Sequence, residues 1–135
     1  MLRLKQVKRG YQSRTNMALL KIEIRTARKT HRCDWCGLNI QKGDSYNRQG
    51  HSYDGSAYTW KNHIFCMEIA HKLDMWDNCD EGLSESDFYE EITESYCKIM
   101  SNEFNNLYES EDFELPDFKG QLKFVLDYHK ISNNL

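Results

Sequence analysis

Hydrophobic and polar side chains alternate along residues 18–25. The apolar positions fall on one face and the charged positions on the other: Leu20, Ile22 and Ile24 against Lys21, Glu23 and Arg25. A period of two residues predicts a half-buried β-strand. Gly37 and Gly43 then indicate turns, and residues 49–58 predict a strand or loop around a turn at Asp54-Gly55.

Helical spacing replaces alternation in the second half of the chain. Residues 60–76 predict a first helix, whose apolar stripe is Ile64, Met67, Ala70, Leu73 and Trp76. Residues 78–82 interrupt this pattern. The segment from Ser84 to Asp87 resembles a capping box and opens a second helix, predicted to run to about Tyr108. Its stripe is Phe88, Ile92, Tyr96 and Ile99.

A third helix is predicted near the C-terminus. Pro116 suits its first turn, because proline lacks the amide hydrogen that is unpaired there. The apolar stripe of this helix is Phe118, Leu122 and Val125, continued by His129. The pattern as a whole therefore predicts strands followed by helices, in the α+β class.

Charge is distributed very unevenly along the 135 residues. Residues 1–32 carry ten Lys or Arg against one acid, and residues 33–75 carry four bases against five acids. Residues 76–135 carry four bases against fifteen acids, although the whole chain has a net charge of only −3. This asymmetry indicates partners for the two ends, or attraction between them. Residues 1–17 form a basic arm, and Met17 is a second candidate for the natural start.

The five cysteines favour metal binding over a disulfide framework. Their number is odd, and two of them form a C-x-x-C pair. No apolar run approaches the roughly 20 residues needed to span a bilayer, and the N-terminus lacks the apolar core of a signal peptide. We therefore expect a cytoplasmic protein in a reducing compartment, with no membrane partner.

Four residues have the spacing of a closed zinc site. Cys33 and Cys36 form a C-x-x-C turn relaxed by Gly37, and His63 and Cys66 lie three apart where a helix begins. Four nitrogen and sulfur ligands complete a tetrahedral shell and leave no position for water, which is typical of one structural Zn²⁺. His31, His71 and Cys79 lie close in sequence and could compete as ligands. Cys79 and Cys97 have no partner at ligand spacing, so we predict that both are buried thiols.

The run from Cys33 to about Leu73 resembles the PARP-like zinc finger, which has the same ligand order. Tyr53-Asp54-Gly55 matches an aromatic-Asp-Gly turn of that family, and Trp60 matches a tryptophan just before its ligand histidine. The chain taken whole resembles small zinc proteins of phage genomes. The resemblance implies a treble-clef-like unit of β-hairpins and a helix that grips DNA through backbone contacts and base stacking.

Together these patterns divide the chain into three parts. A basic arm over residues 1–17 precedes a zinc-finger domain over residues 18–76, and an acidic helical region follows over residues 77–135. The fold is predicted to be a small treble-clef-like zinc finger with an acidic α-helical C-terminal half.

The basic segment before the zinc turn favours a non-enzymatic protein that binds nucleic acid, with DNA as the first candidate. Four cations there can neutralise phosphates, and aromatic side chains can stack on bases. The predicted contacts are Arg25, Arg28, Lys29, Arg32, Trp35 and Tyr53, with Tyr46 and Tyr58 as further stacking candidates. A solvated basic face and an aromatic core are the alternatives.

A protein-interaction module is the second hypothesis. Acidic side chains in the helical region can imitate a phosphate backbone and occupy a nucleic-acid-acting protein of a host. They are Asp77, Asp80, Glu81, Glu85, Asp87, Glu90, Glu91, Glu94, Glu109, Glu111, Asp112 and Glu114. The alternative is the solvated face of a helix.

An enzyme is the third hypothesis, and the sequence does not favour it. A metal-dependent nuclease site on such a finger needs a catalytic histidine beside a second metal, with an Asn or His on the helix, and His51 and Asn62 are the candidates for these roles. No acid lies at a convincing spacing from His51, and neither Cys79 nor Cys97 has a nearby general base. We therefore expect no catalysis.

Overall fold

The structure is a computed structural model that describes residues 17–53, 55–79 and 82–135; for residues 17–21, 53 and 78 it describes the backbone alone. It is a mixed α/β protein with antiparallel sheets, helices and a cluster of four Cys and His side chains. Apart from Met17, the predicted basic arm lies outside the described residues. So do the side chain of Tyr53 and residues 54, 80 and 81.

Three long strands form the larger sheet. They are β1 (Met17–Thr26), β4 (Ser45–Tyr53) and β5 (Ser56–His63), in the order β1-β4-β5 and all antiparallel. Strands β4 and β5 form a hairpin in which Tyr53 pairs with Ser56. Gly55 has a φ of +84° in the predicted turn, a conformation that glycine adopts without strain.

Alternation in β1 buries less than the sequence predicts. Ile24 is 70% exposed, and Ile22 is half-buried. The strand lies at one edge of the sheet and its register shifts between Leu19 and Lys21, whereas the first helix packs on β4 and β5. Within the described residues, the outer apolar position of β1 is therefore left without a covering layer. The expectation of one continuous buried face on β1 was wrong at Ile24.

A second, very small sheet carries the C-x-x-C turn. It consists of β2 (His31–Arg32) and β3 (Asn39–Ile40), which pair antiparallel. Residues 33–38 form the knuckle between them. Asp34 fixes this knuckle to β5, because its backbone amide donates to the Lys61 carbonyl and its carboxylate accepts from the Lys61 amide, at 2.7 and 2.8 Å.

Helix α1 (Ile64–Lys72) begins later and ends earlier than predicted. Trp60, which we expected to open this helix, instead lies in β5 and pairs with Gln49. The end of α1 is followed by Asp74 in the left-handed region, with φ +50°, and by a 3-10 turn (Met75–Asn78). The predicted helix over residues 60–76 was therefore wrong at both ends, because its apolar stripe continues through a strand and a turn.

Helix α2 (Glu85–Glu103) has the predicted start. Ser84 is its N-cap: the Ser84 hydroxyl accepts from the Asp87 amide, and the Asp87 carboxylate accepts from the Ser84 amide. Phe104 interrupts the predicted helix to Tyr108, with a φ of −134°, before the short helix α3 (Asn105–Tyr108).

Helix α4 (Phe118–Tyr128) packs against α2. Pro116 lies before its N-cap rather than in its first turn. Asp117 is the N-cap, and its carboxylate accepts a hydrogen bond of 2.9 Å from the Gly120 amide. None of the described helices has the length and apolar composition needed to cross a bilayer.

One cluster of buried side chains extends from the knuckle into the helices. Its members include Trp35, Ile40, Phe65, Ile69, Met75, Phe88, Ile92, Leu122 and Val125. The knuckle with its sheets and the C-terminal helices each offer little apolar area alone, so the core that they share adds to the stability of both.

Candidate metal centre and basic groove

Four buried side chains meet between the knuckle and the start of α1. They are Cys33, Cys36, His63 and Cys66, and their potential ligand atoms all lie within 4.8 Å of one another. The two Sγ atoms of Cys33 and Cys66 are 3.8 Å apart, far longer than the about 2.05 Å of a disulfide bond. Nδ1 of His63 lies 3.3 Å from Sγ of Cys36 and 3.8 Å from Sγ of Cys66.

These separations are compatible with a tetrahedral zinc site. With a Zn–S length of about 2.3 Å and a Zn–N length of about 2.05 Å, a regular tetrahedron separates two sulfurs by about 3.8 Å and a sulfur from a nitrogen by about 3.6 Å. The observed distances lie within a few tenths of an ångström of these values. The four residues are therefore close enough together to hold one metal ion.

The knuckle turns its amides toward the sulfurs. The Cys36 amide approaches Sγ of Cys33 at 3.5 Å, and the Leu38 amide approaches Sγ of Cys36 at 3.4 Å. Gly37 makes this path available with a φ of +76°, and its amide donates to the Cys33 carbonyl at 2.9 Å. A Cβ atom at Gly37 would also approach the Arg32 guanidinium at 3.0 Å. Amide donors of this kind stabilise thiolates.

The second ligand pair lies at the junction of β5 and α1. His63 is the last residue of the strand, and Cys66 lies in the first turn of the helix, where the helix dipole favours a thiolate. Nε2 of His63 donates to the Asn39 carbonyl at 3.0 Å. This bond fixes the ring so that Nδ1 faces the sulfurs.

The cluster attracts positive charge. Burial raises the pKa of Cys33, but contacts with Cys36, Cys66 and His63 outweigh burial and hold that pKa well below its usual range. Burial and the neighbouring Cys33 and Cys36 raise the pKa of Cys66. Burial lowers the pKa of His63, but the same two thiols raise it to about 10. A divalent cation among these groups supplies the charge that a proton otherwise provides.

The competing ligands named from the sequence lie outside this cluster. His31 packs its ring against Tyr46 at 5.3 Å, and His71 packs against Trp76 at 4.9 Å. Cys79 and Cys97 are half-buried rather than buried as predicted. Among the described residues, only one group of Cys, His, Asp or Glu side chains is arranged to hold a metal ion.

Neither protein-family models nor curated sequences nor solved structures give a match to this chain. The resemblance to PARP-like fingers and to phage zinc proteins therefore stays a prediction.

Trp35, which we expected to stack on bases, lies in the core of the protein. It is only 3% exposed, and its indole Nε1 donates to the Leu83 carbonyl at 2.8 Å. Its ring stacks on Phe88 with a centroid distance of 5.8 Å and meets the edges of Trp60 and Trp76. The side chain packs into the core because a small metal-binding unit needs this apolar surface.

An open groove of about 940 Å³ lies beside the knuckle. Three of the predicted contacts, Arg25, Arg28 and Lys29, line it. Two further cations, Arg48 and Lys61, line it as well and were not named from the sequence. They pair with each other across β4 and β5, so alternation places both on one sheet face. A prediction of the β4–β5 register would have found them.

The remaining predicted contacts have other surroundings. Arg32 does not line the groove, because its guanidinium pairs with the Glu85 carboxylate at the start of α2. Tyr46 lines the groove but is only 5% exposed, and Tyr58 stacks on His51 at 5.2 Å. The side chain of Tyr53 lies outside the described residues.

His51 and Asn62 belong to one chain of hydrogen bonds. Nε2 of His51 donates to Oε1 of Gln49 at 3.0 Å, and the Gln49 amide donates to Oδ1 of Asn62 at 2.9 Å. Asn62 in turn donates to the His63 carbonyl at 2.8 Å. Burial lowers the pKa of His51. This series of hydrogen bonds joins buried polar side chains of β4 and β5 to the backbone of His63, a candidate metal ligand.

Proposed function

We propose that this chain is a zinc-stabilised, non-enzymatic protein that binds nucleic acid through the basic groove. DNA is the expected ligand. The observation that supports the proposal is the convergence of five cations, from β1, the β1–β2 loop, β4 and β5, on one concave surface. Cations so close together repel each other, and phosphates would relieve this repulsion and release counterions.

Zinc is the metal that fits the donor set best. Three thiolates and one imidazole in a closed, tetrahedral arrangement are the ligands that structural Zn²⁺ prefers. We expect one zinc ion per chain in elemental analysis of the purified protein. Cys66→Ser should abolish this stoichiometry, whereas the matched Cys97→Ser should retain it. A folded wild-type protein without metal would contradict the assignment.

A treble-clef arrangement is part of the proposal. The knuckle supplies two ligands, the β4–β5 hairpin follows it, and the start of α1 supplies the other two. This order of elements is the one that the resemblance to PARP-like fingers implies. Treble clefs serve many functions, so the basic groove, and not this arrangement, supports nucleic-acid binding.

Binding to labelled DNA, followed by fluorescence anisotropy at several salt concentrations, tests the proposal. Arg28→Ala/Lys29→Ala should weaken binding and lower the salt slope by about 1.4 to 1.8, since each phosphate contact contributes about 0.7 to 0.9. Lys98→Ala/Lys119→Ala removes the same charge from exposed positions on the helices and should leave the affinity unchanged. Equal effects of the two double variants would refute the groove as the contact surface.

Protein binding through α2 is the second candidate function. Tyr89 is 49% exposed and Leu115 is 58% exposed, close in sequence to several acidic side chains. Tyr89 lies in α2 beside Glu90 and Glu91, and an exposed aromatic ring next to acidic side chains suits a basic, partly apolar partner. Absence of nucleic-acid affinity, together with a protein partner lost on reversal of the charges of Glu90, Glu91 and Glu94, would replace the first proposal by this one.

The non-enzymatic assignment has its own test. His51 is joined to Asn62 through Gln49, an arrangement that accounts for its position by structure rather than by reaction chemistry. We expect the purified protein to leave DNA intact with Mg²⁺ or Mn²⁺. Cleavage that persists through purification and disappears in His51→Ala would overturn this assignment.

A further inference from the structure

The cations of the basic groove differ in exposure. Arg25, Arg28 and Lys29 are exposed and are called the rim cations, whereas Arg48 and Lys61 are half-buried and are called the interior cations. The half-buried pair comes from one face of the sheet, where Arg48 and Lys61 are cross-strand partners, and the ring of His31 contacts that of Tyr46. Positive charge therefore extends from the rim of the groove to its interior.

We propose that this groove accommodates a single strand of nucleic acid rather than a duplex; this inference rests on the proposed function. A duplex carries its phosphates on a convex surface and would meet the rim cations first. A single sugar-phosphate backbone is thin and flexible enough to enter the groove. Only the single strand then neutralises both the rim and the interior.

The groove carries more positive side chains than the nearby acids neutralise, which favours binding of an anion beside Lys61. Glu23 pairs with Arg25 at 2.7 Å and with Arg48 at 3.6 Å, so one carboxylate serves two guanidinium groups. Arg28, Lys29 and Lys61 form no ion pair with the acids of the described residues. Lys61 is thus a half-buried cation with no ion pair at contact distance among the described residues, although its charge attracts the Asp34 carboxylate and opposes the rise in the pKa of that group.

The groove offers little surface for stacking bases. Tyr46 is buried, and Trp35 belongs to the core. Recognition of the strand therefore depends mainly on its phosphates, so the expected binding is salt-dependent and tolerant of sequence. Single-stranded DNA and single-stranded RNA share this backbone chemistry.

Lys61 gives a variant that separates the two forms of nucleic acid. Its ammonium group forms no hydrogen bond or ion pair within the described residues, whereas its backbone holds Asp34. Lys61→Met keeps the apolar stem and the backbone bonds but removes the charge. Lys119→Met, at an exposed position in α4, is the matched control.

The experiment measures affinities of the metal-loaded protein for three labelled probes of about 12 nucleotides, within the site sizes of about 4–16 nucleotides known for single-strand binding modules. The probes are an oligothymidylate, an oligouridylate and a duplex of mixed sequence. We expect single strands to bind tenfold or more tightly than the duplex. Lys61→Met should reduce the salt slope for single strands by about 1 and leave duplex binding unchanged, and Lys119→Met should change neither.

Two results would overturn the inference in different ways. Equal or tighter binding of the duplex, or an equal loss for both forms in Lys61→Met, would refute the single-strand occupant and leave the proposed function standing. Failure of the folded, metal-loaded protein to bind any probe would refute both. Preference between oligothymidylate and oligouridylate identifies the source of the strand, DNA or RNA.

Discussion

Trp35 lies between two candidate metal ligands, yet its side chain belongs to the core of the helical half. Its indole contacts Phe88 and donates a hydrogen bond to the Leu83 carbonyl, both of which lie beyond the predicted zinc-finger segment. A tryptophan beside a C-x-x-C pair thus acts as the apolar link between the knuckle and α2. Burial of such a large ring stabilises the contact between the two parts.

Substitution of Trp35 should reduce the stability of the metal-loaded protein. Trp35→Ala should cost about 3–5 kcal/mol through lost packing, and Trp35→Phe about 1–3 kcal/mol because the Leu83 carbonyl loses its donor. Urea denaturation measures both. Leu107→Ala, at a 57% exposed position, is the control and should stay within about 0.5 kcal/mol of the wild type. A stable Trp35→Ala protein that loses nucleic-acid affinity would restore the stacking role.

His51 makes stability depend on pH. Burial lowers its pKa in the folded protein below the ordinary value of 6.5, so the unfolded chain binds the proton more readily. The stability of the neutral form is complete above about pH 6.5 and decreases as the pH falls toward the folded pKa.

The variant His51→Gln, which retains a hydrogen-bonding group, should lack this contribution. Between about pH 7.5 and about pH 5.5 the wild type should lose more stability than the variant, as measured by denaturation at each pH. Parallel pH profiles for the two proteins would show that the histidine is solvated in the folded state.

At the scale of elements, capping residues predict where a helix begins better than its apolar stripe does. The stripe from Trp60 to Trp76 crosses a strand, helix α1 and a 3-10 turn without a change in hydrophobic spacing. By contrast, the capping box at Ser84 marks the start of α2 correctly, because it depends on hydrogen bonds between neighbouring residues.

The cap of α2 gives a prediction at this scale. Ser84→Ala removes the acceptor of the Asp87 amide and should cost about 1 kcal/mol of stability. Ser101→Ala lies at an exposed position inside the same helix and should be neutral or slightly stabilising, since alanine is the better helix former. Thermal denaturation compares the two variants. Equal midpoints would show that the cap contributes little.

At the scale of the whole molecule, the β1–β2 loop, which carries Arg28 and Lys29 of the groove, lies next to the candidate metal centre. The β1–β2 loop is held at one end by the Ala27 amide, which donates to the Asp44 carbonyl at 2.8 Å. Its other end leads through β2 into Cys33. Arg28 and Lys29 therefore lie between a backbone anchor and a candidate ligand, so we expect metal binding to affect the geometry of the groove.

Chelation should consequently remove both stability and nucleic-acid binding. We expect a strong zinc chelator to lower the thermal midpoint sharply, because structural zinc contributes on the order of 10 kcal/mol to folding of small domains. Binding of the oligothymidylate should disappear with the metal and return on addition of Zn²⁺ but not of Mg²⁺. An unchanged midpoint after verified removal of the metal would show that the fold stands without it.

Sequence reasoning identified the metal-ligand candidates better than the groove. The ligands lie in two short motifs, and the structure brings those four residues together. The groove combines residues as distant in sequence as Arg25 and Lys61, which only the register of three strands places side by side. The groove also includes Arg48, which was not predicted, and lacks the predicted Arg32, whose guanidinium pairs with Glu85 of α2.

The chain by itself determined the ligand pairs, the cap of α2 and the α+β class, because each depends on contacts between residues close in sequence. Tertiary structure decided that Trp35 is buried, that Trp60 lies in a strand, and that Arg48 and Lys61 join the rim cations in one groove. The physical reason is that burial and charge proximity depend on which distant segments pack together, and hydrophobic spacing along one segment does not specify its neighbours.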